Sequence, residues 1–430
     1  TFATYKDCCF KEIGKQLEEE QSLTLSRFSS SFTPHSMRVS LINAYAFEFG
    51  LPIEVIVKLV GHASIVMTLY YVKSGLVRQK VEFGEKQAFK NAREQAQRFL
   101  DEKGIEEFRA QLTANNPDFL NSLSNRHPSS AYLWKDFGIC PVGGNSCSSG
   151  GDIVVVGANL YNPVPAGYIG EQNCPRCRFF ITGPAFLIGQ VALYNEITLA
   201  LTSQSLRHNE LQQELTDVSK RIEIISHQQY EQLKTGKVTS ESAAEKEVLQ
   251  AKRRKLNSEI ETRAKKMDML FSDLNFLYRH IQNSRSITKN LKPTESNKLM
   301  LVVPGELDFD IGLEESTHFR LLSEVCENAE LFHSCSNELA LAKRSQALDK
   351  LMMHNGIKPQ LLLLDEREQT IIGNQLTQLM YSRIQSWETI DRLIDGDLTL
   401  RDLDSEVHLT ANDIKKVLSR AKPIGIGEIK

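Results

Sequence analysis

"LQQELTDVSKRIEII", residues 211–225, places Leu211, Leu215, Val218, Ile222 and Ile225 at successive steps of 4, 3, 4 and 3. That spacing keeps one apolar seam on one side of a helix, facing a partner helix. A second arm repeats the register with Leu256, Ile260, Met267, Leu270, Leu274, Leu277 and Ile281, and Arg263 is its one charged intruder. Between the arms, "KTGKVTSES" offers Gly236 as a stop, and Ser242 as an N-cap with Glu245 completing a capping box. The expectation is an antiparallel coiled-coil hairpin over residues 188–290.

Working outward, residues 291–430 carry further helical stretches, "NQLTQLMYSRIQSWETIDRLI" and "ANDIKKVLSRA", and form a helical C-terminal region. On the other side, residues 126–187 change character: Gly, Pro, Asn and Cys run throughout, and the β-branched "DIVVVG" suits a strand. Residues 81–125 are charged and helix-favouring, a helical connector with Gly104 as a break between two helices. Residues 1–80 are compact and helical in pattern. No repeat recurs at a period of 20–50 residues, which excludes a solenoid. The fold class expected is mainly α.

Composition constrains the partners. Of 430 residues, 41% are apolar and 24% charged, and the net charge of −3 exerts no global pull toward nucleic acid or membrane, so any DNA contact must be local. The longest apolar run, "FFITGPAFLIGQVALY" (179–194), is broken by Gly183, Pro184 and Gly189. That argues against a membrane partner and for a cytoplasmic protein. Thr1 in place of a methionine suggests a piece that lacks its true start.

Eight cysteines are too few for a disulfide scaffold in so long a chain. Cys8, Cys9, Cys326 and Cys335 are scattered and read as spare or buried thiols. The other four are grouped. "GICPVGGNSC" (138–147) and "NCPRCRFFITGPAF" (173–186) give Cys140-x6-Cys147, 26 residues, then Cys174-x2-Cys177. A two-residue gap lets both sulfurs reach one tetrahedral Zn²⁺ at about 2.3 Å. The first pair is looser than usual. A structural Zn²⁺ held by Cys140, Cys147, Cys174 and Cys177 is the leading reading, with an iron–sulfur cluster and four metal-free thiols as alternatives. His127 is a weak spare ligand, and a redox Cys-x-x-Cys lacks its usual βαβ setting.

Chemistry enters with "TPHSMRVSLINAYAFEFGLPIEVIVKLVGHASIVMTLYYVK" (33–73). Thr33 and Pro34 start a helix whose first turn presents His35 and Arg38 on one face, where the helix dipole and exposed N–H groups attract an anion. Gly50 ends that helix, Pro52 opens another, Gly61 closes it and His62 sits at the turn. Taken singly, each residue is ordinary: a solvated helix end, a C-cap, packing tyrosines.

The joint pattern is more specific. His35-x-x-Arg38, then Gly61-His62 after 22 residues, then Tyr71 nine beyond His62, resembles the C-terminal catalytic box of the tyrosine recombinases, the phage-integrase family. "TPHSMR" and "LVGHASIVMTLYY" are similar to that family's local words, although Met37 and Val39 depart from its common residues without touching a catalytic position. The resemblance implies that Tyr71 is the nucleophile, Arg38 a phosphate clamp, His35 an acid–base group and His62 a hydrogen-bond donor to a non-bridging oxygen. Tyr70 lies about 100° away around the helix and reads as a core residue.

The implied activity is site-specific DNA recombination. A tyrosine attacks a phosphodiester, leaving a 3′-phosphotyrosyl bond and a free 5′-hydroxyl that can be rejoined, with no cofactor for catalysis. The implied partner is double-stranded DNA, bound as a homo-oligomer. The family also uses a first arginine and a β-hairpin lysine far upstream of its His-x-x-Arg. Neither is recognisable in the 34 residues before His35, so the chain by itself is expected to be inactive.

"CPVGG" and "CPRCRFFITGPAFL" downstream of the box resemble the large integrases of the gamma-mobile-trio type of bacterial mobile element, which implies accessory proteins of the same element as further partners. The rival reading is a non-catalytic DNA-binding or scaffold subunit. Three weaker features are set aside. "TGKVT" around Lys237 is no P-loop, because Glu231 stands where its first glycine belongs. "TLRDLDSEVHLTANDIKKVL" has His408 where a helix-turn-helix usually has glycine, and reads as a plain helical pair. "KRRK" (252–255) reads as a solvated face.

Overall fold

The computed structural model describes residues 96–98, 100–102, 104–124, 131–151, 153–155, 161–163, 173–234, 240–290, 313–314, 317–332, 338–403 and 409–419, with isolated positions 41, 45, 58, 59, 76 and 77. The chain divides into two units, Thr1–Lys73 and Ser74–Lys430. Almost everything described belongs to the second, which is mainly helical.

A short strand, β1 (Leu76–Val77), pairs with one far along the chain at Leu313–Glu314. Gly104, at φ 80°, breaks the helical run as expected and leads into α1 (Ile105–Phe108). Then come β2 (Thr113–Ala114) and α2 (Pro117–Ser122), whose first turn is capped by Asn116 accepting from the Phe119 N–H. The segment read as a connector thus builds part of a sheet.

β3 (Leu133–Lys135) and β4 (Gly138–Cys140) form a hairpin, β5 (Ile153–Val155) pairs with β6 (Tyr161–Pro163), and β7 is Ile181–Thr182. The four-stranded antiparallel order is β2-β7-β4-β3, with Ala114 opposite Ile181 and Ile181 opposite Ile139. Ile105, Leu112, Leu120, Tyr132, Ile139, Ile181 and Phe186 fill one core beneath it. "DIVVVG" supplies β5, as its β-branched run predicts.

Two helices dominate the rest. α3 (Leu187–Lys234) and α4 (Ser240–Asn290) pack lengthwise, and their cross-contacts run in opposite order: Gln190 with Ser284, Gln204 with Arg263, Glu214 with Lys252, Arg221 with Glu245. This is the antiparallel hairpin the seam predicts. Leu211, Val218, Ile222, Ile225 and Leu256 are buried, and Leu215 and Ile260 are partly so. Arg263 is tolerated in the seam's register because its guanidinium reaches Gln204 Oε1 at 3.0 Å and Glu259 at 3.2 Å.

The cap differs from the expectation. α4 starts at Ser240, so Ser242 lies inside the helix. Glu245 instead accepts from Arg221 of the opposite helix at 2.9 and 3.0 Å, a charged partner in place of a backbone amide.

α3 is long and apolar enough near its start to cross a membrane by length and composition, but most of that stretch is buried within the protein. The first strand's partner is β8 (Leu313–Glu314). A C-terminal bundle follows: α5 (His318–Leu331), α6 (Glu338–His354), α7 (Glu366–Ile384), α8 (Trp387–Asp395) and α9 (Ala411–Leu418). The stretch "NQLTQLMYSRIQSWETIDRLI" is cut in two by Gln385, at φ 54°, and Ser386 caps the new helix from below Thr389.

Leu348, Leu351, Ile372, Leu376, Ile390, Leu393 and Ile414 meet in this bundle's core. Asp349, itself buried, accepts from the N–H groups of Gln360, Leu361 and Leu362 and so caps the turn that enters α7. α9 begins with a capping box between Thr410 and Asp413. Residues 404–408, which include the turn of the suspected helix-turn-helix, lie outside the described residues.

Candidate metal centre

The fold places two cysteine-bearing turns against each other. Cys140 ends β4, and the next four residues, Pro141 to Gly144, reverse the chain. Gly143 and Gly144 take φ 60° and 80°, a left-handed pair that any side chain would strain. The reversal aims the Gly144 N–H at Cys140 Sγ, 3.4 Å away. Cys147 then opens a short 3₁₀ turn, Cys147–Ser149, and its thiol donates back to the Gly144 carbonyl at 3.2 Å. The six-residue gap that looks loose in the sequence is therefore folded into a compact loop.

Cys174 starts the second turn, Cys174–Arg176, and the Cys177 N–H closes it on the Cys174 carbonyl at 2.9 Å. Past Cys177, the Phe180 N–H turns back and donates to the Cys177 carbonyl at 3.0 Å. The two turns are joined by the Arg178 N–H donating to the Gly150 carbonyl at 2.7 Å. A Cβ on Gly150 would stand 2.6 Å from Cys177 Sγ, so the sulfur rests on that glycine.

The four thiols act on one another electrostatically. Burial pushes the Cys174 thiol up to about 12; Lys135 pulls it down, and Cys140, Cys177 and Cys147 each push it further up. Burial raises the Cys177 thiol as well, opposed by the Phe179 and Phe180 amides, and Cys140 and Cys147 add to the rise. Among the described residues, no group of three or more His, Cys, Asp or Glu side chains is closed as it stands into a metal-holding set.

A clamp surrounds the Cys174–Cys177 turn. The Pro175 carbonyl accepts from Asn115 Nδ2 at 2.7 Å and lies 3.2 Å from His280 Nε2. Asn115 also donates to the Cys177 carbonyl at 3.0 Å. Asp273, fully buried on α4, accepts from Asn173 at 2.9 Å and pairs with Arg176 at 3.4 Å. Burial raises the Asp273 carboxyl, and Asn173 and Arg176 hold it back.

The His280 ring packs edge-on to Phe180, 5.6 Å between centroids, and burial drives its pKa down to about 4, so it is neutral at physiological pH. Arg176 and Arg279 both lie over the Phe276 ring, at 5.5 and 5.7 Å.

The sequence singles out the four cysteines but not Asn115, Asp273 and His280, which surround the Cys174–Cys177 turn. The available signal was that Asp273 and His280 stand seven residues apart, two turns along one helix face, among Leu270, Leu274, Leu277 and Ile281 of the apolar register. Of the spare thiols, Cys326 is fully buried in α5, and Cys8, Cys9 and Cys335 lie outside the described residues. The recombinase-box residues His35, Arg38, His62 and Tyr71, with Tyr70, also lie outside them, as does His127. The basic run Lys252 to Lys255 is solvent-exposed, with Lys252 paired to Glu214 at 2.6 Å. Compared with known proteins, the chain matches no family model, no curated protein and no solved structure.

Proposed function

We propose that this chain is part of a site-specific DNA recombinase of a bacterial mobile element, acting in the cytoplasm on double-stranded DNA as a homo-oligomer, with accessory proteins of the same element as further partners. The single observation that carries this reading is the joint spacing of His35, Arg38, Gly61, His62 and Tyr71. The chemistry is consistent with those residue types. A phenol must lose its proton to attack a phosphodiester, and the crowded phosphorus then carries extra negative charge. Arg38 meets that charge with a fixed fork of donors, His62 adds a hydrogen bond to a non-bridging oxygen, and His35 moves the proton.

The breaking-and-joining step keeps the bond energy in a phosphotyrosyl link, so it needs no nucleotide. That family's first arginine and β-hairpin lysine stand upstream of its His-x-x-Arg, and neither is recognisable in the residues before His35.

The second reading, a non-catalytic DNA-binding or scaffold subunit, draws on the two long helices α3 and α4, which suit assembly as well as they suit support. One experiment separates the two. A protein that carries the upstream arginine and lysine is incubated with a nicked duplex whose cleaved strand cannot rejoin. The recombinase reading expects a covalent protein–DNA adduct that Tyr71→Phe abolishes and Tyr70→Phe retains. Salt-sensitive DNA binding with no adduct points to the subunit instead.

A further inference from the structure

We propose that Cys140, Cys147, Cys174 and Cys177 bind one Zn²⁺ as a tetrahedral thiolate centre, and that the loaded centre is the pin that fastens the small sheet to the root of the α3–α4 hairpin through Asp273 and His280.

Four features point there. Two separate turns present two sulfurs each, and the Arg178–Gly150 hydrogen bond holds the turns together. A backbone N–H already aims at one of those sulfurs, from Gly144 to Cys140 at 3.4 Å. Such donors stabilise a thiolate and are of little use to a neutral thiol. Two of the positions are buried: Cys140 and Cys174 are 9% and 8% exposed, where a free thiolate is costly and a metal-bound one is not. The cation Lys135 acts on the Cys174 sulfur and offsets part of the double negative charge of a four-thiolate zinc centre.

The donor set decides the metal. Four thiolates and no carboxylate suit a soft, tetrahedral ion at about 2.3 Å, with no open position for substrate. Binding releases four protons to solvent, one from each thiol, as four Zn–S bonds form, and no electron is exchanged. Cys147 lets go of the Gly144 carbonyl by rotation of its side chain and turns to the metal.

The second half of the proposal follows from the outer contacts. Metal-ligating turns are oriented by groups that hold their backbone. Here Asn115 comes from the loop before α2, and Asp273 and His280 come from α4, about 100 residues downstream of the residues they hold. A centre that fixes Cys174 to Cys177 therefore fixes Asn173, Pro175 and Arg176, and through them the side of α4. None of this requires anything of Tyr71, so the proposal stands or falls apart from the recombinase reading.

The test uses the full chain. Metal analysis of the purified protein should give one zinc per chain, and Co²⁺ substitution should give the d–d bands of a tetrahedral site with strong sulfur-to-cobalt charge transfer. Cys174→Ser and Cys147→Ser should lose the bound metal, and Cys326→Ser, remote from the quartet, should keep it. Asp273→Asn keeps the side chain's shape and should weaken zinc roughly 10-fold without abolishing it. Hydrogen exchange then reads the pin: removing zinc with a chelator should speed exchange in residues 173–180 and 270–284 while α6 and α7 stay protected.

Zinc retained after all four cysteines are changed to serine overturns the site, as does iron with sulfide in the purified protein. If a Cys→Ser variant fails to fold, Co²⁺ titration of the metal-stripped wild type decides, and the absence of a thiolate spectrum sinks the proposal. Unchanged exchange at 270–284 after zinc removal overturns the pin.

Discussion

The two ends of the α3–α4 hairpin are built from one kind of sequence and held in different ways. Toward the tip, the helices meet along a narrow seam of Leu211, Val218, Ile222 and Leu256, with exposed ion pairs beside it and exposed Ile224, Tyr230 and Val248. Toward the root, burial surrounds both helices. Tyr194, Met267, Leu274, Leu277 and Ile281 are wholly enclosed, and polar Gln190, Asp273, His280 and Ser284 are enclosed with them. Gln190 donates to Thr182 and Ser284, and Thr182 donates to the Phe137 carbonyl at 2.8 Å, so the sheet and both helices share one hydrogen-bonded layer. Seam spacing makes a hairpin; polar groups placed off that seam decide what the hairpin is attached to.

Substitutions can break this contrast. The largest effect is expected from Leu274→Ala at the root, a loss of about 3–5 kcal/mol, against about 2 kcal/mol for Leu256→Ala nearer the tip, because the tip can relax into solvent and the root cannot. Urea unfolding of the two variants measures the difference. If both cost the same, the root is no better packed than the tip.

Next comes Asp273→Ala, which leaves Asn173 and Arg176 without their buried partner and should cost about 2–3 kcal/mol in the same assay. Asp273→Asn, which keeps one acceptor, should recover part of that loss.

A smaller effect depends on pH. His208, buried on α3, has its pKa lowered by burial and by Arg263. It is therefore neutral in the fold and titrates near about 6.5 when unfolded. Its contribution is complete above that value and is lost as pH falls toward the lower folded value, because the unfolded chain binds the proton more readily. Thermal melts from pH 7.5 to 5 should show the loss, and His208→Gln should flatten that slope. The smallest effect is Arg221→Ala at the tip, whose pair with Glu245 is about half exposed on both sides; stability should stay within about 0.5 kcal/mol of the parent.

Legibility follows the same division. The seam positions could be read because a helix turns its periodicity into one face, and Gly104 could be read because glycine there takes a positive φ. Ser242 misled, since a sequence signal for capping cannot anticipate an arginine on the facing helix. Gln385 gave no warning at all: a glutamine in the left-handed region has no compositional mark, and only Ser386 after it, the cap of α8, hinted at a new helix start.

Spacing marked out the two cysteine pairs, but not the contacts around the Cys174–Cys177 turn, because Asn173 meets Asp273 and Pro175 meets His280 across about 100 residues of sequence. Local pattern carries no information about such pairs. The recombinase box is legible only as a motif, since His35, Arg38, His62 and Tyr71 lie outside the described residues.

α3 runs 48 residues without a break, about 70 Å at the rise of an α-helix. A rod of that length magnifies whatever happens where it is seated. A tilt of only about 5° at the Gln190 layer carries the far end roughly 6 Å sideways, more than a full helical turn. The hydrogen bonds around Thr182 and Ser284, together with the apolar packing of the root, therefore sit where a small change in seating has its longest lever on the hairpin's far end.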